Sequence, residues 1–432
     1  MSYGQSWHFR YSPPPVAEIS TTSTPKKALL KHSSCSDPSS TAAFMQDRDV
    51  SAFGMTKIAQ NRLLVTTPWM LCNLNFVENT QQFQLIPLGL SPEDPIDKAF
   101  IMAGTPTDAT FLFSDILQVA PNKSILVLVY QEAKGSCCLV LQPYGENGGS
   151  RERLEQDQVP LKSLPTIAAS ENGSRFFGVV LFRHDSISAF GFTISEDAEL
   201  TNLPSAKDLE SDEFAAFFPH LVNFKHPITE YYSIAVDDYR VIAIGCNNGI
   251  IQFVSGKSLC DGVAPGFTVQ QYEIDGPVSM ITLFDASIIE SRVVCSALVG
   301  GSVGYAVVFE DPFNTSCEPK FLPDSDYYDS ILCCNVADID LDGKRELLLG
   351  SFSNALVAYK KSAENTWQLE SRSKWDFFFF GPIYSIIVQD MNGDGVDEII
   401  LASTDGIHVL EPDCDVVLQK LRAVISLLNG PQ

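Results

Sequence analysis

Residues 390–410 read DMNGDGVDEIILASTDGIHVL, an acidic, glycine-bearing loop that runs straight into an aliphatic stretch. Asp390, Asn392 and Asp394 alternate and Glu398 comes next, a spacing that lets a tight loop turn several oxygens onto one hard cation. Gly395 stands where such a loop needs a residue free to take positive φ. An EF-hand would place a bidentate glutamate where this chain has Leu401, and it would need a helix on each side. The chain instead continues as EIILAS, β-branched and aliphatic, which reads as a strand. The loop therefore feeds a sheet.

A second copy lies 52 residues earlier: DIDLDGKRELLLG, with Asp338, Asp340, Asp342, Gly343 and Glu346 in the matching positions. Both copies belong to a larger repeat of aliphatic strand, polar or glycine-containing turn, and second apolar strand. Seven such units occur, beginning with NRLLVTTPWMLCNLNF at Asn61 and ending with DEIILASTDGIHVLEPD at Asp397. The last four start near residues 240, 292, 345 and 397, and the related stretches GPVSMITLFD and GPIYSIIVQD start at Gly276 and Gly381. One hairpin repeated at this pitch predicts an all-β, seven-bladed β-propeller with one four-stranded blade per repeat. A β-sandwich would not repeat a single hairpin so regularly.

The chain divides into three regions. Residues 1–55 are rich in Ser, Thr and Pro without apolar periodicity, a composition that predicts a disordered tail. Residues 56–412 form the propeller, interrupted by a long acidic insertion that contains FAAFFPHL, a cluster that either packs back or meets a partner. Residues 413–432 hold a predicted amphipathic helix: Val417, Leu421, Val424, Ile425 and Leu428 follow helical spacing, with Asp415 as N-cap and Gly430 as stop.

The chain carries a formal charge of −24, with 53 acidic against 29 basic residues. Such a surface repels phosphate backbones and anionic lipid headgroups. No apolar run is long enough for a membrane span, and the polar, proline-broken N-terminus lacks a signal-peptide core. The 11 cysteines form no C-x-x-C pair and sit mostly inside apolar runs, which predicts buried thiols in a cytoplasmic protein. The match of GGSVG to a nucleophile elbow fails on context, because a strand rather than a helix comes after Ser302. No histidine spacing marks a relay, so no enzyme is expected. The run KWDFFFFGPIY reads as a buried blade strand.

The two D-x-[DN]-x-D-G-x-x-E loops resemble the calcium loops of FG-GAP repeats, the blades of integrin α-subunit propellers. The stretches at 324–361, 275–285 and 390–412, in that spacing, are similar over roughly residues 230–425 to the kaptin family. That resemblance implies a non-enzymatic scaffold subunit of the KICSTOR complex. Its implied partners are a second FG-GAP propeller protein, a large scaffold subunit and the GATOR complex. GATOR would be recruited to the lysosomal surface, restraining mTOR complex 1 when nutrients are scarce. The resemblance also implies a link to actin-rich structures, and an actin-filament adaptor is the alternative function. The acidic balance argues against that alternative, since the one short basic cluster, Lys26, Lys27 and Lys31, lies in the tail.

Two readings of the acidic loops stand. In one, Asp338, Asp340, Asp342 and Glu346, and likewise Asp390, Asn392, Asp394 and Glu398, hold Ca2+ or Mg2+, with no cofactor required otherwise. In the other, the side chains satisfy their own backbone and fix strand register without metal. The C-terminal stripe either packs on the propeller or docks a partner; a closed propeller has no need of an extra helix, which favours docking.

Overall fold

The computed structural model describes residues 3–10, 54–88, 109–120, 123–143, 150–154, 159–194, 207–370 and 379–428, with short breaks at 69, 133–134 and 291. Its strands form seven antiparallel sheets in chain order. Each of the seven predicted hairpins supplies the second and third strands of one sheet, for example Glu346–Ser351 with Leu356–Lys361 in blade six. Six sheets have four strands; the fourth gains a two-residue strand, Gly262–Val263.

These middle strands are continuous apolar runs because both of their faces are covered by neighbouring blades. In blade six, Leu347 and Leu349 point into the cluster shared with blade five, while Leu348 points the other way into the cluster shared with blade seven. This is the period-2 alternation of a strand used on both sides. Seven apolar clusters in all lie between consecutive blades. The ring closes where Ile400, Ala402, Ile407 and Val409 of blade seven meet Leu63, Val65, Cys72 and Leu74 of blade one. Gln389 Nε2 adds a hydrogen bond across that seam, to the carbonyl of Ala59 at 3.1 Å.

The closure corrects the predicted tail. Tyr3–Arg10 is the outer strand of blade seven, paired antiparallel with Gly406–Pro412. An edge strand needs only one partner's backbone groups, so a polar sequence can fill the place. Blade one begins at Gly54, and residues 11–53, the rest of the predicted tail, lie outside the described residues. Chain ends thus meet in one blade.

The insertion packs back. Ser211–Phe217 is helical, and a 3-10 turn comes next at Pro219–Leu221. Phe217, Phe218 and Leu221 are buried against Phe176 and Phe182 of blade three and Tyr231 of blade four. His220 is 4% exposed, with Nε2 2.9 Å from the Tyr231 hydroxyl. Of the phenylalanine run, residues 377 and 378 lie outside the described residues. Phe379 is buried, but Phe380 is 77% exposed in the connection to blade seven, so the expected strand is not present at 379–380. Ser302 sits in an exposed hairpin turn between Arg292–Gly301 and Ala306–Glu310, which is not an elbow geometry. Among the described residues ten cysteines are free, six of them buried, and no helix is long and apolar enough to cross a membrane.

Candidate functional site: paired acidic loops and the C-terminal helix

Each acidic loop joins the first and second strands of its blade: Ile331–Ala337 to Glu346–Ser351 in blade six, and Ile383–Gln389 to Glu398–Ser403 in blade seven. Both turns depend on a left-handed glycine, Gly343 at φ 84° and Gly395 at φ 88°. The first aspartate collects backbone donors in both. Asp338 accepts from Asp342 N at 3.1 Å and Gly343 N at 2.8 Å. Asp390 accepts from Gly393 N at 2.7 Å, Asp394 N at 3.2 Å and Gly395 N at 3.0 Å. The closing glutamate begins the second strand and is buried, Glu346 at 1% and Glu398 at 0% exposure. One oxygen of each is taken: Glu346 Oε2 by Ile339 N at 3.0 Å, and Glu398 Oε2 by Met391 N at 2.8 Å. These contacts fix the register at which each second strand starts.

The other glutamate oxygen separates the two loops. In blade six, Lys360 on the third strand reaches across the hairpin. Its Nζ lies 2.6 Å from Asp340, 2.7 Å from Asp342 and 3.1 Å from Glu346 Oε1. Burial opposes the Lys360 charge, but the three carboxylates outweigh it and raise its pKa, so the ammonium persists across the physiological range. Burial likewise works against the Asp342 carboxylate, yet Lys360 and the Lys344 N–H bring its pKa below the usual range. Oxygens of Asp338, Asp340 and Glu346 lie within 4.8 Å of one another, close enough to share a metal, but the ammonium is what three of the loop's carboxylates face. Blade six therefore fits its own lysine.

Among the described residues no ammonium meets the blade-seven loop. Leu410 pairs with Ile399 as Tyr359 pairs with Leu347, so the next position along, the counterpart of Lys360, is Glu411. Glu398 Oε1 is buried with no hydrogen-bond partner. Burial, with Asp394 and Asp390 nearby, pushes the Glu398 carboxyl up to about 7. Asp394 accepts from Val396 N at 2.8 Å, and Asn392 Nδ2 donates to Asp394 at 3.2 Å. Asp390, Asp394 and Glu398 do not bring three ligand oxygens within 4.8 Å of one another; among the described residues the blade-six trio of Asp338, Asp340 and Glu346 does. Sequence reasoning missed Lys360 and Glu411. The signal that finds them is cross-strand register, which requires the length of each hairpin turn.

The helix spans Cys414–Leu428 and is capped by Asp413 rather than Asp415: Asp413 Oδ1 accepts from Asp415 N at 3.0 Å. Of its predicted stripe, Val417 is half-buried, while Leu421 and Ile425 are 53% and 47% exposed, joined by Leu418 at 47%. The side chains of Val424 and Leu428 lie outside what the structure describes. The exposed leucines and isoleucine are not covered by the propeller. Lys420 Nζ lies 3.8 Å from Asp340, which places the helix beside the blade-six loop.

Strand topology, acidic loops on consecutive blades and an appended helix define a seven-bladed β-propeller protein. A family model for KICSTOR complex protein kaptin matches residues 201–422. The chain belongs to the kaptin family. The mouse KICSTOR complex protein kaptin is 29% identical over 218 residues, 48% of this chain and 50% of that protein, so the match spans about half the relative's length. Among solved structures, Sqt1 of Saccharomyces cerevisiae aligns with a TM-score of 0.46 at 11% identity, covering 84% of this chain and 96% of that one. BBS1N in complex with ARL6DN aligns with a TM-score of 0.41 at 9% identity, covering 84% and 92%. The blade count rests on the strand pairing.

Proposed function

We propose that this chain is a non-enzymatic interaction subunit of a KICSTOR-type assembly, docking through its C-terminal helix. The assembly would bring the GATOR complex to the lysosomal surface and restrain mTOR complex 1 in nutrient scarcity. The observation that carries the docking role is the apolar face of Leu418, Leu421 and Ile425, left about half exposed on a helix that a closed propeller does not need. A helix with one apolar stripe binds by laying that stripe into a partner's groove. The partners are those the kaptin resemblance implies: a second FG-GAP propeller protein and a large scaffold subunit.

The test is Leu421→Asp with Ile425→Asp in the full chain. Both side chains are exposed, so stability should change by no more than about 0.5 kcal/mol. Stoichiometric partners should be lost on affinity purification, because burying unpaired carboxylates in a groove costs several kcal/mol. In cells, the variant should leave mTOR complex 1 active during starvation. Retained partners with retained signalling would move the interface elsewhere; a variant that melts early would assign the helix to the propeller's own core.

A further inference from the structure

We infer that one end of blade five is a docking platform for an arginine-bearing segment of a partner protein. The acidic loops join first strands to second strands, so the turns between second and third strands lie at the opposite end of each blade. At that end of blade five the turn of residues 301–305 sits between two connections. A Cβ at Gly276, in the connection from blade four, would meet the Val303 side chain at 2.6 Å. A Cβ at Gly304 would stand 3.2 Å from the backbone of Asp329, in the connection to blade six. The Tyr305 hydroxyl donates to the Asp275 carbonyl at 2.9 Å, and the Tyr305 ring lies 5.5 Å from that of Phe321. Val303, Phe321 and Tyr327 are each more than half exposed on the surface so joined.

Charge sets the class of partner. Asp275, Asp324, Asp326 and Asp329 are exposed along the same two connections, and none of them meets a lysine or arginine among the described residues. At the other end of blade five the acids are answered within the chain: Arg292 pairs with Asp311 at 2.7 Å, and Lys361 with Glu310 at 2.9 Å. A guanidinium stacks on aromatic faces and binds a carboxylate through two parallel N–H groups, so one arginine uses both features of the platform. Its aliphatic stem suits Val303. A lysine ammonium is a point charge and matches neither geometry as well. The same carboxylates repel nucleic acid and anionic lipid, which leaves a basic protein segment as the occupant. The C-terminal helix lies elsewhere, since Lys420 places it beside Asp340 at the acidic-loop end. The platform is therefore a second surface, independent of docking through the helix.

The experiment is fluorescence anisotropy of the full chain with a short labelled peptide of alternating arginine and glycine, and with its lysine counterpart. Physiological salt screens contacts beyond about 8 Å, which suppresses diffuse attraction to an acidic protein. The arginine peptide should bind saturably, and the lysine peptide about fivefold or more weakly. Phe321→Ala with Tyr327→Ala leaves the net charge unchanged and should weaken binding at least about fivefold. Asp324→Asn with Asp326→Asn should weaken it by a similar factor, about fivefold. Asparagine tolerates the φ of 59° at Asp324, so this pair keeps the test valid if the first misfolds. Asp237→Asn with Asp238→Asn removes equal charge from the exposed turn between Ile228–Val236 and Tyr239–Cys246, at the acidic-loop end. That pair should change affinity by no more than about twofold. Leu421→Asp with Ile425→Asp, which probes the helix, should bind the peptide no more weakly than the wild type. No saturable binding up to about 1 mM peptide, or equal affinity for the two peptides, would overturn the inference. So would wild-type affinity in Phe321→Ala with Tyr327→Ala, or equal losses in the two aspartate pairs.

Discussion

Blades six and seven begin with nearly the same loop and diverge at one cross-strand position. Each loop draws a carboxylate into the core to set the register of its second strand, and a buried carboxylate must be answered by positive charge or by donors. Blade six answers from within its own hairpin: Lys360 meets Asp340, Asp342 and Glu346. Blade seven has Glu411 there and leaves Glu398 Oε1 open. Two loops of matching spacing thus face opposite charge, Lys360 in one and Glu411 in the other, at the corresponding position of the next strand.

Lys360→Met breaks the comparison most directly. It removes the ammonium and strands Glu346, which is 1% exposed, with two further carboxylates beside it. Losing one partner of such a group costs about 2–4 kcal/mol. Urea unfolding in chelator should show that loss, and added Ca2+ should restore part of it by filling the vacated position. A loss below about 0.5 kcal/mol would mean that the backbone N–H groups suffice to hold these carboxylates, in blade six as in blade seven.

That difference was only half legible in the sequence. The seven blades were readable because period-2 alternation and a fixed pitch are local signals, and the middle strands display them on both faces. The helix was readable for the same reason, though its cap lies two residues earlier than predicted, at Asp413. Lys360 was not readable by offset: shifting by the 52-residue period leads to Pro412, not to Glu411. The blade-seven hairpin is tighter, pairing Ala402 with Ile407 where blade six pairs Gly350 with Leu356. The N-terminal strand was invisible for a different reason. Its partner lies at the far end of the chain, and its Trp7 and Phe9 alternate over too short a stretch, ahead of a Ser/Thr/Pro-rich one, to announce a strand.

An acid titration sharpens the comparison only when other buried groups are accounted for, and His220 is the foremost. Burial lowers its pKa to about 3, against an ordinary value near 6.5, so the folded chain keeps it neutral where the unfolded chain protonates it. Between pH 6.5 and 3 the unfolded state therefore binds the extra proton, and stability falls as pH falls; above that window the penalty is absent. The slope approaches about 1.4 kcal/mol per pH unit. His220→Phe should flatten the stability profile across this window, while Lys360→Met should cost most at its upper end and above, where the carboxylates it neutralises are ionised. An unchanged slope in His220→Phe would place the acid sensitivity in the carboxylate loops.

The smallest expected effect concerns the link between blade six and the helix. Lys420 Nζ approaches Asp340 at 3.8 Å, with side-chain exposures of 35% and 20%. Asp340 already has Lys360 at 2.6 Å, so the second lysine adds a long, water-screened contact to a satisfied group. Pairs of this kind contribute about 0–1 kcal/mol and weaken with salt. Lys420→Ala should therefore change global stability by less than about 0.5 kcal/mol. It should nonetheless speed amide hydrogen exchange in Cys414–Leu428 at low salt, and the difference from wild type should vanish at about 1 M salt, where screening acts within roughly 3 Å. That outcome describes a helix steered toward the blade-six side of the propeller by charge, with its apolar face still free. A larger, salt-independent loss of protection would mean that the helix is held by packing, and the exposed stripe would no longer serve as a free docking face. Because blade seven offers no lysine-neutralised loop to lean on, the same helix with Asp340→Asn should lose its preference altogether, a result that ties its position to one side of the comparison.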